Sequence, residues 1–120
     1  MFTDTQIYRS ITIQLETYMP YFKQMDKDYK TTIGKEVVFC LIDGITYMSD
    51  SYLTKEKETK VVFANSALKR ISQAEIFCKA LFDLKAISQK QIISLSYNFG
   101  QIKMQLYRWL EKLKADGIKV

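Results

Sequence analysis

The sequence predicts an all-α protein, an antiparallel up-down-up-down four-helix bundle, and three observations point to it. Apolar residues recur at steps of three and four along four separate stretches. The 120 residues include only 4 Gly and 1 Pro, which disfavours a turn-rich sheet. Short polar links join the stretches, so consecutive helices become antiparallel neighbours. At this length the chain reads as one domain, 1–120, and its 48% hydrophobic content is enough for a core of its own.

The first stretch carries Ile7, Ile11, Leu15, Tyr18, Phe22 and Met25. Its interior Pro20 removes a backbone donor and crowds the preceding turn, so a kink or break is expected there. A polar link, 26–31, leads to a second helix over about 32–53. That helix has two apolar stripes. Ile33, Val37, Cys40, Gly44 and Tyr47 form one; Val38, Leu41, Ile45, Met48 and Tyr52 form the other. Burial on two sides follows, which points to a second subunit as one of the partners. Residues 54–59 are polar and charged, as a loop or exposed first turn would be.

The third helix runs from near 58 to near 84 on a seam of Ala64, Ala67, Ile71, Ala74, Cys78 and Leu81. Small seam residues let a neighbouring helix come close. The fourth helix, over about 88–115, holds a heptad seam of Ile92, Leu95, Phe99, Ile102, Leu106, Trp109 and Leu113. Ser88 with Gln91 reads as a capping box at its start, and Gly117 as its stop. A further stripe on it, Tyr97, Met104, Tyr107 and Leu110, points again to an oligomer.

Composition excludes several function classes. With 0 His there is no imidazole base and no His-containing metal site. Gly34, Gly44, Gly100 and Gly117 are too scattered for a phosphate-cradling loop. Cys40 and Cys78, 38 residues apart, form no CxxC pair and no metal knuckle. Each lies in an apolar stretch, which suggests a packing role in a reducing cytoplasm. No cofactor is implied. No secretory or membrane-spanning segment is expected. The acids Glu36, Asp43, Asp50, Glu75 and Asp83 lack the His partners of a di-metal bundle. Asp43, within an apolar run, reads as a buried acid paired with Lys or Arg.

The charge is uneven. Residues 1–59 carry 7 basic and 9 acidic groups, residues 60–120 carry 11 and 4, and the whole chain is +5. On the fourth helix Gln101, Gln105, Arg108 and Lys112 share a face, which Lys119 continues if Gly117 does not break the helix. Such a face suits phosphates. A solvated surface is the plainer reading, since Lys outnumbers Arg by 15 to 3. Trp109, on the seam, reads as core rather than as a base-stacking platform. Tyr107, off the seam, suits either stacking on a base or a subunit contact.

Two spacings carry a family resemblance. Met19-Pro20 is followed fourteen residues later by Ile33-Gly34, across the link Lys27-Asp-Tyr-Lys-Thr-Thr-Ile-Gly34. The second is Phe99-Gly100-Gln-Ile-Lys-Met-Gln-Leu-Tyr-Arg-Trp109-Leu110, after the cap Ile87-Ser-Gln-Lys-Gln91. Together, over residues 5–113, the chain resembles the accessory variability determinant (Avd) proteins of diversity-generating retroelements. Their wider relatives are the four-helix-bundle proteins encoded in rRNA intervening sequences. It departs from them in having Lys30, not Arg, beside Tyr29, and Gln24-Met25 where Phe-Pro is common.

The resemblance implies a barrel-like homopentamer with a basic surface. It would bind a reverse transcriptase and RNA or DNA and support error-prone cDNA synthesis without doing chemistry. By position, Lys69, Arg70, Lys79, Lys103, Arg108 and Lys112 would form the nucleic-acid surface. The alternative is an oligomeric scaffold that binds only protein. A small-molecule pocket within the bundle is a third option, with Asp43 as its one polar candidate.

Overall fold

The structure, a computed structural model, describes residues 1–115. Four long helices dominate it: α1 Gln6–Gln24, α2 Lys35–Leu53, α3 Lys57–Asp83 and α4 Gln89–Ala115. They pack in chain order, α1 on α2, α2 on α3, α3 on α4, and α4 closes back on α1. Contacts run in opposite directions along neighbours. Between α2 and α3, Ser51 meets Lys60 while Asp43 meets Arg70. Between α1 and α4, Ile7 lies by Gln105 while Gln14 meets Leu95. The expected up-down-up-down four-helix bundle is therefore the fold, with extents of 48 × 25 × 21 Å. Among the described residues no helix is long and apolar enough to cross a membrane.

Thr5 caps α1 by accepting from the Tyr8 N–H at 3.3 Å. A 3-10 turn, Phe2–Asp4, precedes it and buries Phe2 against the rings of Tyr8 and Tyr52. α1 continues through Pro20 without a break. Pro20 lies in the last turns of the helix, and both it and Glu16, whose carbonyl loses its helical donor, are exposed residues, which keeps the cost small.

The polar link is also helical, contrary to its reading as a joining segment. A turn at Lys27–Tyr29 runs into a π-helix, Lys30–Gly34, that feeds α2. The Asp26 carbonyl accepts from Tyr29 and Lys30, and the Thr31 and Thr32 hydroxyls donate back to the carbonyls of Lys27 and Asp28. The wider turn brings the Gly34 carbonyl to the Tyr18 hydroxyl at 2.7 Å. A Cβ on Gly34 would stand 2.9 Å from both Met25 Sδ and the Tyr29 carbonyl oxygen. Glycine there lets α1 and the π-turn touch.

The α3 seam is buried at every expected position, Ala64, Ala67, Ile71, Ala74, Cys78 and Leu81. Its small residues admit α2, and α2–α3 is the most extensive packing in the bundle. Gly44 sits directly against Ile71, where a Cβ would lie 2.8 Å from Ile71 Cδ1. The two α2 stripes do not face opposite ways. Val37, Cys40, Leu41 and Met48 are all in the one core, and the exposed large apolar residues of α2 are Phe39, Ile42, Leu53 and, in part, Tyr52. Burial pushes both thiols up, that of Cys78 to about 12.

α3 ends in a Schellman motif. Ala86 N–H donates to the Leu81 carbonyl and Lys85 N–H to that of Phe82, with Lys85 left-handed at φ 62°. Ser88 and Gln91 then form the expected capping box at 2.9 and 3.1 Å. On α4 the seam residues Ile92 to Leu106 are buried and Trp109 and Leu113 partly so. Leu110 is core rather than part of the outer stripe, because it follows Leu106 by four. The exposed stripe is Ile93, Tyr97, Met104 and Tyr107. Gly117 and Lys119 lie outside the described residues.

Candidate nucleic-acid interface

Antiparallel packing sets the start of α1 beside the last turns of α4. A groove of about 220 Å³ opens between them, lined by Thr5, Gln6, Ile7, Gln105, Arg108, Trp109 and Lys112. The α4 residues come from the face that their spacing predicts: Arg108 and Lys112 are one turn apart, and Gln105 is the next turn inward. Both cations are exposed, and neither has an acidic partner among the described residues.

The other candidate residues differ. Arg70 is held by Asp43, with Nε at 2.8 Å and Nη2 at 2.7 Å, and donates to Gln73 at 2.6 Å. Burial works against its charge, but the Asp43 hydrogen bond and nearby Cys40, Asp43 and Glu36 raise its pKa overall. Asp43 is thus paired as expected but half-exposed rather than buried. Lys103 pairs with Glu75 at 2.7 Å and Lys79 with Asp83 at 2.7 Å, the latter lysine also lying over the Phe82 ring. Lys69 is exposed on α3 and has no acidic partner among the described residues. Arg108 therefore stands with Lys112 on one groove and with Lys103 and Glu111 on another, and of the six candidates Arg70, Lys79 and Lys103 are paired with acids.

Polar residues also line the α1–α4 contact above the groove. Buried Gln14 donates to the Leu95 carbonyl at 2.8 Å and accepts from Asn98 at 2.9 Å. Asn98 also reaches Thr17 at 3.3 Å. Gln105 continues this row but differs from it. It is nine-tenths buried, and its Oε1 has no hydrogen-bond partner. Trp109 is turned inward, donating to Ser51 Oγ at 3.1 Å, as the core reading of that residue requires.

Sequence reasoning missed the α1 wall of this groove. The signal was present in Thr5, a cap residue immediately before the apolar periodicity of α1. Among the described residues no three His, Cys, Asp or Glu side chains form a group able to hold a metal ion. Compared with known proteins, the chain matches no family model, no curated protein and no solved structure.

Proposed function

We propose that this protein is a non-catalytic nucleic-acid-binding accessory protein. It associates with a retroelement reverse transcriptase in mutagenic cDNA synthesis. The observation that carries the binding reading is the pair Arg108 and Lys112, unpaired among the described residues and side by side on an open groove. They belong to the half of the chain with 11 basic and 4 acidic groups. Phosphates answer such a pair by charge and hydrogen bonds. The polymerase partner rests on the Pro-to-Gly and Gly-to-Trp spacings.

The working form is a barrel-like homo-oligomer, five subunits by the same resemblance. The exposed α4 stripe of Ile93, Tyr97, Met104 and Tyr107 supports self-association, since Gly100 in its middle has nothing within 4 Å and leaves room for a neighbour. The buried thiols of Cys40 and Cys78 support a reducing cytoplasm.

A second reading, a scaffold that binds only protein, is favoured by the same stripe and by the pairing of Arg70, Lys79 and Lys103. Size exclusion with light scattering, with and without a short RNA–DNA hybrid, separates the two. The first reading expects about 70 kDa, five times 14.1 kDa, and a shift with the hybrid that shrinks as salt rises. An oligomer indifferent to the hybrid at every salt leaves the scaffold reading.

A further inference from the structure

We propose that the outer face of α4 is a two-fold docking surface for a second copy of this chain, the two α4 helices crossing antiparallel at Gly100. The inference rests on the self-association reading above and gives it a place, a register and a symmetry.

The face is self-complementary about Gly100. Ile93, Tyr97, Gly100, Met104 and Tyr107 step by four, three, four and three, the period of a coiled-coil seam. It is a second seam, turned away from the buried one of Ile92 to Leu106. Ile93 and Tyr107 each stand seven residues from Gly100, while Tyr97 stands three before it and Met104 four after. Continuing the seam outward gives Lys90, ten before, and Glu111, eleven after. Both are exposed, and neither is in an ion pair among the described residues. Laid antiparallel on a copy of itself, the face sets Tyr97 opposite Met104 and Ile93 opposite Tyr107, on both sides of the axis. Lys90 of each copy then meets Glu111 of the other, so the charges are complementary at both ends. A parallel arrangement would set lysine on lysine and glutamate on glutamate.

The shape of the face fits the same register. Gly100 is exposed, with nothing within 4 Å of a Cβ placed on it, so two backbones can come close at the crossing. Beside it lies a shallow hollow of about 480 Å³ whose lining includes Gly100, Lys103, Met104 and Tyr107. Those four are the i, i+3, i+4 and i+7 positions that form the hole for one knob of a facing helix. The knob in this register is Tyr97 of the other copy, at 70% the most exposed apolar residue of the stripe. Its ring lands on Met104, a contact that a thioether and an aromatic ring favour. Lys103, the cation nearest the crossing, is already answered by Glu75 at 2.7 Å, so two copies do not repel there. Arg108 borders both this hollow and the α1–α4 groove. It follows Tyr107 by one residue, about 100° round the helix, at the edge of the stripe.

The strip from Lys90 to Glu111 is about 32 Å long and one helix wide. That is small for a specific interface, so pairing depends on concentration. A two-fold contact joins copies in pairs; a ring of five closes head-to-tail, through other faces.

The test is light scattering of the full chain over a wide concentration range. The mass should reach an even multiple of 14.1 kDa and halve in Gly100→Leu. Leucine is the better helix former and has open space at this position, so the melting temperature should stay equal or rise. That separates lost pairing from lost fold. Lys90→Glu and Glu111→Lys should each weaken pairing by about tenfold, since both end contacts turn repulsive. Mixing the two variants should restore it, because every end contact is then between opposite charges. Loss in each variant with recovery in the mixture marks the antiparallel register, and loss without recovery overturns it. A mass of several subunits that is unchanged in Gly100→Leu overturns the face and leaves the homo-oligomer reading standing. A single subunit at every concentration overturns both.

Discussion

Ser51→Ala tests how the far end of the bundle is tied. Ser51 is fully buried in the last turn of α2. Its hydroxyl donates to the Lys60 carbonyl of α3 at 2.8 Å and accepts from Trp109 Nε1 of α4 at 3.1 Å. One oxygen therefore joins three helices. The Lys60 ammonium returns the contact, donating to the carbonyls of Ser51 and Tyr52 at 3.0 and 3.1 Å, where α2 has run out of intrahelical donors. Removing Oγ leaves the Lys60 carbonyl its own helical partner, so that side loses about 1 kcal/mol. The indole N–H is left without a protein acceptor in a half-buried site, at the lower end of the roughly 1–3 kcal/mol penalty. The total is about 2 kcal/mol, or a melting temperature lower by about 8 °C for a domain of this size.

Trp109 is the only tryptophan, so urea unfolding followed by its emission reports the event directly. The midpoint should fall with an unchanged denaturant slope. A loss below about 0.5 kcal/mol would refute the hub, because that is what an ordinary surface substitution costs. The same signal decides the role of the indole. Held by Ser51, it is not available to stack on a base, so RNA should leave its emission nearly unchanged.

Other expectations follow from the same geometry. Lys85→Gly should stabilise the fold by about 0.5–1 kcal/mol in thermal melts, because the left-handed turn at φ 62° strains any residue with a Cβ. Gly34→Ala should destabilise by about 1–3 kcal/mol, since its methyl meets a backbone oxygen that cannot swing away. Replacing Arg108 and Lys112 together by Ala should lower the slope of log affinity against log salt by about 1.4 on single-stranded RNA; an unchanged slope would place the phosphates elsewhere. Cys78 stays protonated in the fold up to about pH 12 against 9.0 when free. Its contribution is therefore full below pH 9 and lost as pH rises toward 12. Cys78→Ala should flatten that alkaline decline in pH-dependent unfolding.

The helices were legible because each has a long apolar seam whose period admits no strand. Ala64 to Leu81 on α3 and Ile92 to Leu106 on α4 are buried where the spacing places them. The capping box at Ser88 was legible for a local reason: both partners lie within four residues. The π-turn at Lys30–Gly34 was not, because the contact its wider turn makes, to Tyr18, is sixteen residues away. At Pro20 the helix does not break, for a related reason. A proline's damage depends on whether the stranded carbonyl faces core or water, and the residue alone does not say which.

The charges divide along the same line between local and distant partners. Lys79 and Asp83 are one turn apart on one helix, so their pairing is readable from spacing. Arg70 finds Asp43, and Lys103 finds Glu75, only through the register of neighbouring helices. That register takes two of the six candidate cations out of the long-range field, and the local Lys79–Asp83 pair takes a third, while their formal charge still counts toward the total. The positive start of α1 and the negative end of α4 lie side by side, so their dipoles largely cancel at a distance. At long range the groove then attracts an anion only through Arg108 and Lys112. Charge removal at Lys112 should therefore slow association with RNA and flatten its salt dependence. Stopped-flow binding to RNA at two salt concentrations checks this, and a Lys112 variant whose association kept the parent's salt dependence would refute it.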